Sequence, residues 1–114
     1  MCGRFAASSS TEDLIDLFGI EEVADPAVAS YNLAPTDPIP AVLDRLVADA
    51  DAPMRTLVSP RWGLIPSWAK DPSGAARLIN ARAETIATKR SFSGSLSRRR
   101  CLIPADGYYE WTPK

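Results

Sequence analysis

Histidine is absent from this chain, and cysteine occurs only twice, at Cys2 and Cys101. Neither cysteine belongs to a CxxC pair, so without imidazoles a zinc site is not expected, and no other cofactor is implied. There is no run of about twenty apolar residues of the kind that spans a bilayer. The N-terminus also lacks the basic stretch and apolar core of a signal peptide. The cytoplasm, with both thiols reduced, is the compartment these absences favour. A net charge of −1 gives the chain as a whole no pull toward a polyanion.

What is present describes one small domain. At 114 residues, 46% hydrophobic and 24% charged, the composition is ordinary for a globular protein. Ten prolines argue for many short elements joined by rigid turns and against a helical bundle. The fold class predicted is α+β, with a mixed, barrel-like β-sheet and a few short helices. The charge is unevenly spread: residues 1–60 hold three basic and ten acidic side chains, residues 61–114 ten basic and four acidic. The second half can therefore present a basic face.

Along the chain, SSSTEDLIDLFGI predicts an amphipathic helix, with Ser10 as N-cap, Leu14, Ile15, Leu17 and Phe18 on one face, and Gly19 at its end. EEVADPAVAS reads as a loop and YNLAPTDPIP as extended. IPAVLDRLV and MRTLVSPRWGLI predict a hairpin across ADADAP. SWAKDPSGAAR reads as a loop, and LINARAETIATKR as an extended run turning helical near Glu84. Two short β-like runs, Cys101 to Ile103 and Tyr108 to Trp111, flank a Pro-Ala-Asp-Gly turn. A strand pattern stopping three residues before the end predicts that 1–114 is the N-terminal part of a single domain continuing beyond it.

The chemistry concentrates at the start, MCGRF. Methionine aminopeptidases remove Met1 when the next side chain is small, which would leave Cys2 with an α-amine and a thiol on adjacent carbons. An α-amine titrates near 7.7–8.0, so roughly a tenth is neutral at neutral pH, against well under a thousandth of an ordinary lysine. Such an amine attacks an aldehyde, and the thiol of the same residue then closes a thiazolidine in an effectively unimolecular step. The competing reading is a small hydrophobe near a strand end.

Three other stretches carry polar groups that a core does not need. LINARAE places Asn80, Arg82 and Glu84 at alternate positions, on one face if the run is extended. GYYEW sets Glu110 between aromatics, where partial desolvation suits a carboxyl to proton transfer. Arg4, two residues from Cys2, can bind a phosphate or favour the thiolate. Each also has an ordinary alternative: Asn80 as a turn former, Arg82 with Glu84 as a surface pair, Glu110 as a solvated strand residue.

Taken together, MCGRF, YNLAP at 31–35, RWGLIPSW at 61–68, LINARAET at 78–85 and RRCLIPADGYYEW at 99–111 resemble, in order and spacing, the SOS response-associated peptidase family. Members of that family protect abasic sites in single-stranded DNA by covalent crosslinking. The resemblance implies that Cys2 forms a thiazolidine with the abasic deoxyribose, that Asn80 positions the sugar and the amine, and that Glu110 is the acid-base group. It implies DNA contacts for Arg4 and Arg82, and places Asn32 and Trp68 near the DNA path, where an aromatic can stack on bases. It also implies a lyase-like DNA-processing enzyme, a monomer when the domain is whole, with abasic single-stranded DNA as partner and no membrane. A thiol peptidase that releases its own Met1 through Cys2 is the alternative. One departure is plain: the family's catalytic histidine lies in a later segment, and this chain has none. The expected geometry is a cleft holding Cys2, Asn80 and Glu110, flanked by Arg4 and Arg82.

Overall fold

Helix α1 (Thr11–Phe18) forms where its signals place it. The Ser10 hydroxyl accepts a hydrogen bond from the Asp13 amide at 3.1 Å, and Glu12 and Asp13 sit at the positive end of the helix dipole. Gly19 closes the helix with φ 64°, a left-handed conformation that glycine adopts without a Cβ penalty, and its amide donates to the Ile15 carbonyl. The apolar stripe delivers Leu14 to one of two cores.

A computed structural model describes residues 1–113. Strands β1 (Phe5–Ala7), β2 (Glu22–Val23), β3 (Ser30–Leu33), β4 (Ala41–Arg45), β5 (Met54–Val58) and β6 (Gly107–Tyr108) form two three-stranded sheets. In the first, of order β3-β1-β6, β1 lies antiparallel to both neighbours. In the second, of order β2-β5-β4, the predicted hairpin pairs Ala41 with Val58 through Arg45 with Met54. Part of the predicted loop EEVADPAVAS instead becomes β2, pairing parallel to β5. The Glu21 amide donates to the Arg55 carbonyl, and the Arg55 amide returns a bond to the Glu21 carboxylate.

The predicted barrel-like closure is not found among the described residues. Both sheets are open: β6 is only two residues long, and the nearby Leu102 meets Val42 of β4 in an isolated bridge rather than a ladder. Each sheet instead buries its own core. Phe5, Ala7, Leu33 and Ile39 form one, with Cys2 and Trp62 packed against it. Leu14, Ile20, Val42 and Leu57 form the other, with Ile15, Phe18 and Ala27 against it.

The segment after β5 departs furthest from expectation. Residues 72–77 form a 3₁₀ turn, with Pro72 at its start and the Asp71 carboxylate accepting from the Ser73 amide. The run 78–82 is not a strand, the helical turn expected near Glu84 is only a series of turns at 83–88, and helix α2 (Arg90–Arg98) begins where that run ends. No residue of α2 is buried; Phe92 and Leu96, four residues apart, are its only large apolar side chains, and Gly94 among alternating serines gives the segment weak helix propensity.

Gly63 is the steric junction of this region. Its φ is +120°, and a Cβ there would lie 2.5 Å from the Ala75 carbonyl oxygen. Gly63→Ala is therefore expected to destabilise the fold, because strain and a backbone clash coincide. Leu57→Ala, at a fully buried position, is expected to cost about 2–5 kcal/mol. Urea unfolding midpoints of the two variants against the parent check both.

Candidate active site

Strand β1 fixes where the N-terminus lies. Phe5 pairs with Leu33 on one side and Tyr108 on the other, so Cys2, three residues upstream, emerges beside the start of 109–111. The returning segment is tied down twice. The Asp106 amide donates to the Ala6 carbonyl at 2.8 Å, and the Asp106 carboxylate accepts from the Ser8 amide at 2.6 Å and the Ser8 hydroxyl at 3.0 Å. Next, the Tyr109 amide donates to the Arg4 carbonyl at 2.9 Å and its hydroxyl to the Tyr31 carbonyl at 2.7 Å. Glu110 is thereby carried to the chain's beginning, 3.4 Å from the Met1 α-ammonium.

Asn80 arrives from the opposite side. The Trp62 indole donates to the Ile79 carbonyl at 3.0 Å, and the Leu64 amide to the Leu78 carbonyl at 3.0 Å. Trp62 in turn stands edge-on to Phe5, with ring centroids 5.4 Å apart, so one aromatic joins the core under β1 to the segment bearing Asn80. The Asn80 side-chain amide then donates to the Cys2 carbonyl oxygen at 2.7 Å.

Cys2, Asn80 and Glu110 line one open cavity of about 650 Å³, whose walls include Trp62, Cys101 and Tyr108. Cys2 is half-buried, its thiol 3.7 Å from the Arg4 carbonyl oxygen. The Arg4 guanidinium donates to the Asn32 side-chain oxygen at 3.0 Å, which joins two of the predicted DNA-facing residues directly. Arg82 and Glu84 line a neighbouring hollow with Met1 and Asn80, so Asn80 stands at the wall between the two.

Two expectations need correction. Asn80, Arg82 and Glu84 do not share a sheet face, because no strand forms there. Glu110 is not enclosed by its aromatic neighbours: Tyr109 and Trp111 are exposed, and the carboxylate is half-exposed beside Met1. The pair it makes with the α-ammonium is accordingly a screened surface contact. Trp68 lines neither cavity. It lies under the Arg90 guanidinium, 4.3 Å from the ring centroid.

Three contributors escaped sequence reasoning. Tyr109 looked like one more strand aromatic, yet its hydroxyl clips β3 to the returning segment. Arg90 had no local signal, since its contact with Trp68 spans a loop. Cys101 lines the cavity as a free thiol, and partial desolvation pushes it above its ordinary value. Among the described residues, no group of three or more histidine, cysteine or acidic side chains is placed to hold a metal ion.

The bonds from Ser8 hold the Asp106 carboxyl below its ordinary 3.8. Such a depressed group lends stability that is complete above the unfolded value and is lost as pH falls through the folded one. Asp106→Asn is therefore expected to flatten the loss of stability on acidification below about pH 4. In Ser8→Ala, the Asp106 carboxyl resonance is expected to titrate closer to 3.8.

Comparison with known proteins matches the chain as a whole to one family. The profile of SOS response associated peptidase (SRAP) matches residues 1–114. The abasic site processing protein YoaM of Bacillus subtilis is 44% identical over 113 residues, covering 97% of this chain and 47% of that protein. Abasic site processing protein HMCES of Pongo abelii is 48% identical over 88 residues, 72% of this chain and 25% of its own length. A solved structure from Bordetella bronchiseptica superposes with a TM-score of 0.68 at 27% identity, over 96% of this chain and 50% of that one. One from Bacteroides thetaiotaomicron, at 24% identity, shares the fold with a TM-score of 0.75, over 99% of this chain and 50% of its own. The chain thus spans about half the length of the Bacillus relative and of both solved structures. No helix among the described residues is long and apolar enough to cross a membrane.

Proposed function

The chain belongs to the SOS response associated peptidase family, and from that premise we propose that it processes abasic sites in single-stranded DNA by crosslinking to them through Cys2. The observation carrying this reading is the convergence of Cys2, Asn80 and Glu110 on one cavity at the chain's start. The names of the relatives, abasic site processing proteins, supply the substrate.

In this reading Met1 is first removed, which moves the free amine onto Cys2. That amine, in its neutral form, attacks C1′ of the ring-opened deoxyribose and forms a C–N bond. Proton transfers from and to Glu110 let the carbinolamine hydroxyl leave as water, giving an imine. The Cys2 sulfur then adds to the imine carbon, the nitrogen regains a proton, and the thiazolidine closes with no oxidant or metal required. Asn80 holds the Cys2 carbonyl throughout, and so aims amine and thiol at one carbon. Arg4, aligned by Asn32, and Arg82 in the adjoining hollow supply charge for the flanking phosphates. Trp68 offers an exposed ring on which a base can stack.

A peptidase reading has one observation in its favour: Glu110 reaches the Met1 α-ammonium at 3.4 Å and lines the same cavity as Cys2. Cys2→Ser separates the two. Serine still permits aminopeptidase trimming, so loss of Met1 from this variant, read by intact mass, removes the need for self-cleavage. Retention of Met1 supports it.

The decisive assay is denaturing electrophoresis of the processed protein with single-stranded DNA bearing one abasic site. A heat-stable shifted band is expected, absent from Cys2→Ala. Glu110→Gln is expected to form it about a hundredfold more slowly, within the range of general acid-base effects. The absence of a band from folded, processed protein would overturn the reading for residues 1–114.

A further inference from the structure

Glu110 stands one residue past the last anchor of its segment. Residues 106–109 are tied to β1, because the Asp106 and Tyr109 amides donate to the Ala6 and Arg4 carbonyls and Gly107 and Tyr108 pair with Ala6 and Phe5. Beyond Tyr109, no backbone hydrogen bond is made among the described residues. The carboxylate itself meets the Met1 α-ammonium at 3.4 Å, a contact that leaves with Met1. In the processed chain, what fixes Glu110 is therefore the residue before it.

Tyr108 and Glu110 line the Cys2 cavity and Tyr109 does not, the alternation of an extended chain. The Tyr109 side chain is committed elsewhere: its hydroxyl donates to the Tyr31 carbonyl at 2.7 Å. That acceptor lies at an irregularity of β3. Phe5 pairs with Leu33 but Ala7 with Ser30, so β3 carries one residue more than β1 across this stretch, at Tyr31 and Asn32. A bulge of this kind interrupts the ladder and re-aims the side chains beside it. Here Tyr31 and Asn32 are both exposed, the Tyr31 carbonyl takes the Tyr109 hydroxyl, and the Asn32 side chain takes the Arg4 guanidinium at 3.0 Å.

These bonds close a circuit. It runs from the Arg4 guanidinium to Asn32, through the Tyr31–Asn32 peptide to the Tyr109 hydroxyl, and from the Tyr109 amide back to the Arg4 carbonyl. Glu110 is attached directly to it. We propose that Tyr109 is a positioning residue for the crosslinking reaction, an inference that rests on the function proposed above: its hydroxyl on the β3 bulge sets Glu110 in register with the phosphate-binding Arg4. A phosphate drawn to Arg4 loads the same circuit that places the carboxylate, so capture of the strand and proton transfer at the sugar are linked. Tyr109 touches neither the sugar nor Cys2 and acts through Glu110.

The test is Tyr109→Phe, which keeps the ring and removes only the hydroxyl, in processed protein whose circular dichroism matches the parent. Single-stranded DNA carrying a tetrahydrofuran in place of the abasic sugar has no aldehyde, and its affinity reports binding alone. That affinity is expected to stay within about threefold of the parent, whereas the crosslinking rate at saturating abasic DNA falls about tenfold, the order of effect of a small misplacement of a reacting group. In a Glu110→Gln background the same substitution is expected to add nothing, because the hydroxyl acts only through the carboxylate. A parental rate for Tyr109→Phe would overturn the proposal, as would a tenfold loss that persists in the Glu110→Gln background or one carried wholly by affinity. Each of these leaves the parent's own band in place and the crosslinking reading intact. A parent that forms no band overturns that reading and this proposal together.

Discussion

The architecture around the N-terminus depends on β1 being paired along both edges. A three-residue strand is a weak element by itself, since a lone short pairing does not offset the backbone entropy it fixes. Held between β3 and β6, with Phe5 and Ala7 turned into the core, it becomes the best-anchored part of its sheet. The chain's first residues would ordinarily fray. Here they continue from a central strand, so a terminus acquires the positional definition of a core element.

That anchoring converts distant sequence into local chemistry. Residues 80 and 110 meet residue 2 because their own segments are bound to the same strand or to the aromatic beneath it. The Trp62 indole packs on Phe5 and grips the Ile79 carbonyl, while Ser8 and Ala6 hold Asp106. Both routes use backbone carbonyls or amides at one end, so the positions are set by chain path more than by side-chain choice.

The parts of this arrangement legible in the sequence are those written in local rules. Ser10 and Gly19 delimited α1 because caps act within one turn, and the β4–β5 hairpin followed from two apolar runs about a turn. The approach of Cys2, Asn80 and Glu110 was anticipated only through family resemblance, since no local pattern brings residue 80 to residue 2. The face-sharing argument for Asn80, Arg82 and Glu84 failed because it presumed a strand, whereas the carbonyls of 78 and 79 are taken by Leu64 and Trp62. Helix α2 was missed because its serines and Gly94 read as loop formers and no side chain caps its start at Lys89. A mixed, barrel-like sheet was expected, and the brevity of β6, which decides against it, is a tertiary outcome.

The bond from Asn80 falls on the carbonyl of Cys2 and leaves both the nitrogen and the sulfur of that residue outside the grip. A residue held by its own reactive groups would be released, or would resist, as those groups changed their bonding. One held by its carbonyl keeps its place whether the nitrogen is an amide, an amine or part of a ring. In the proposed reaction the handle and the tool are different atoms of one residue, so the mount would outlast the transformation of what it mounts.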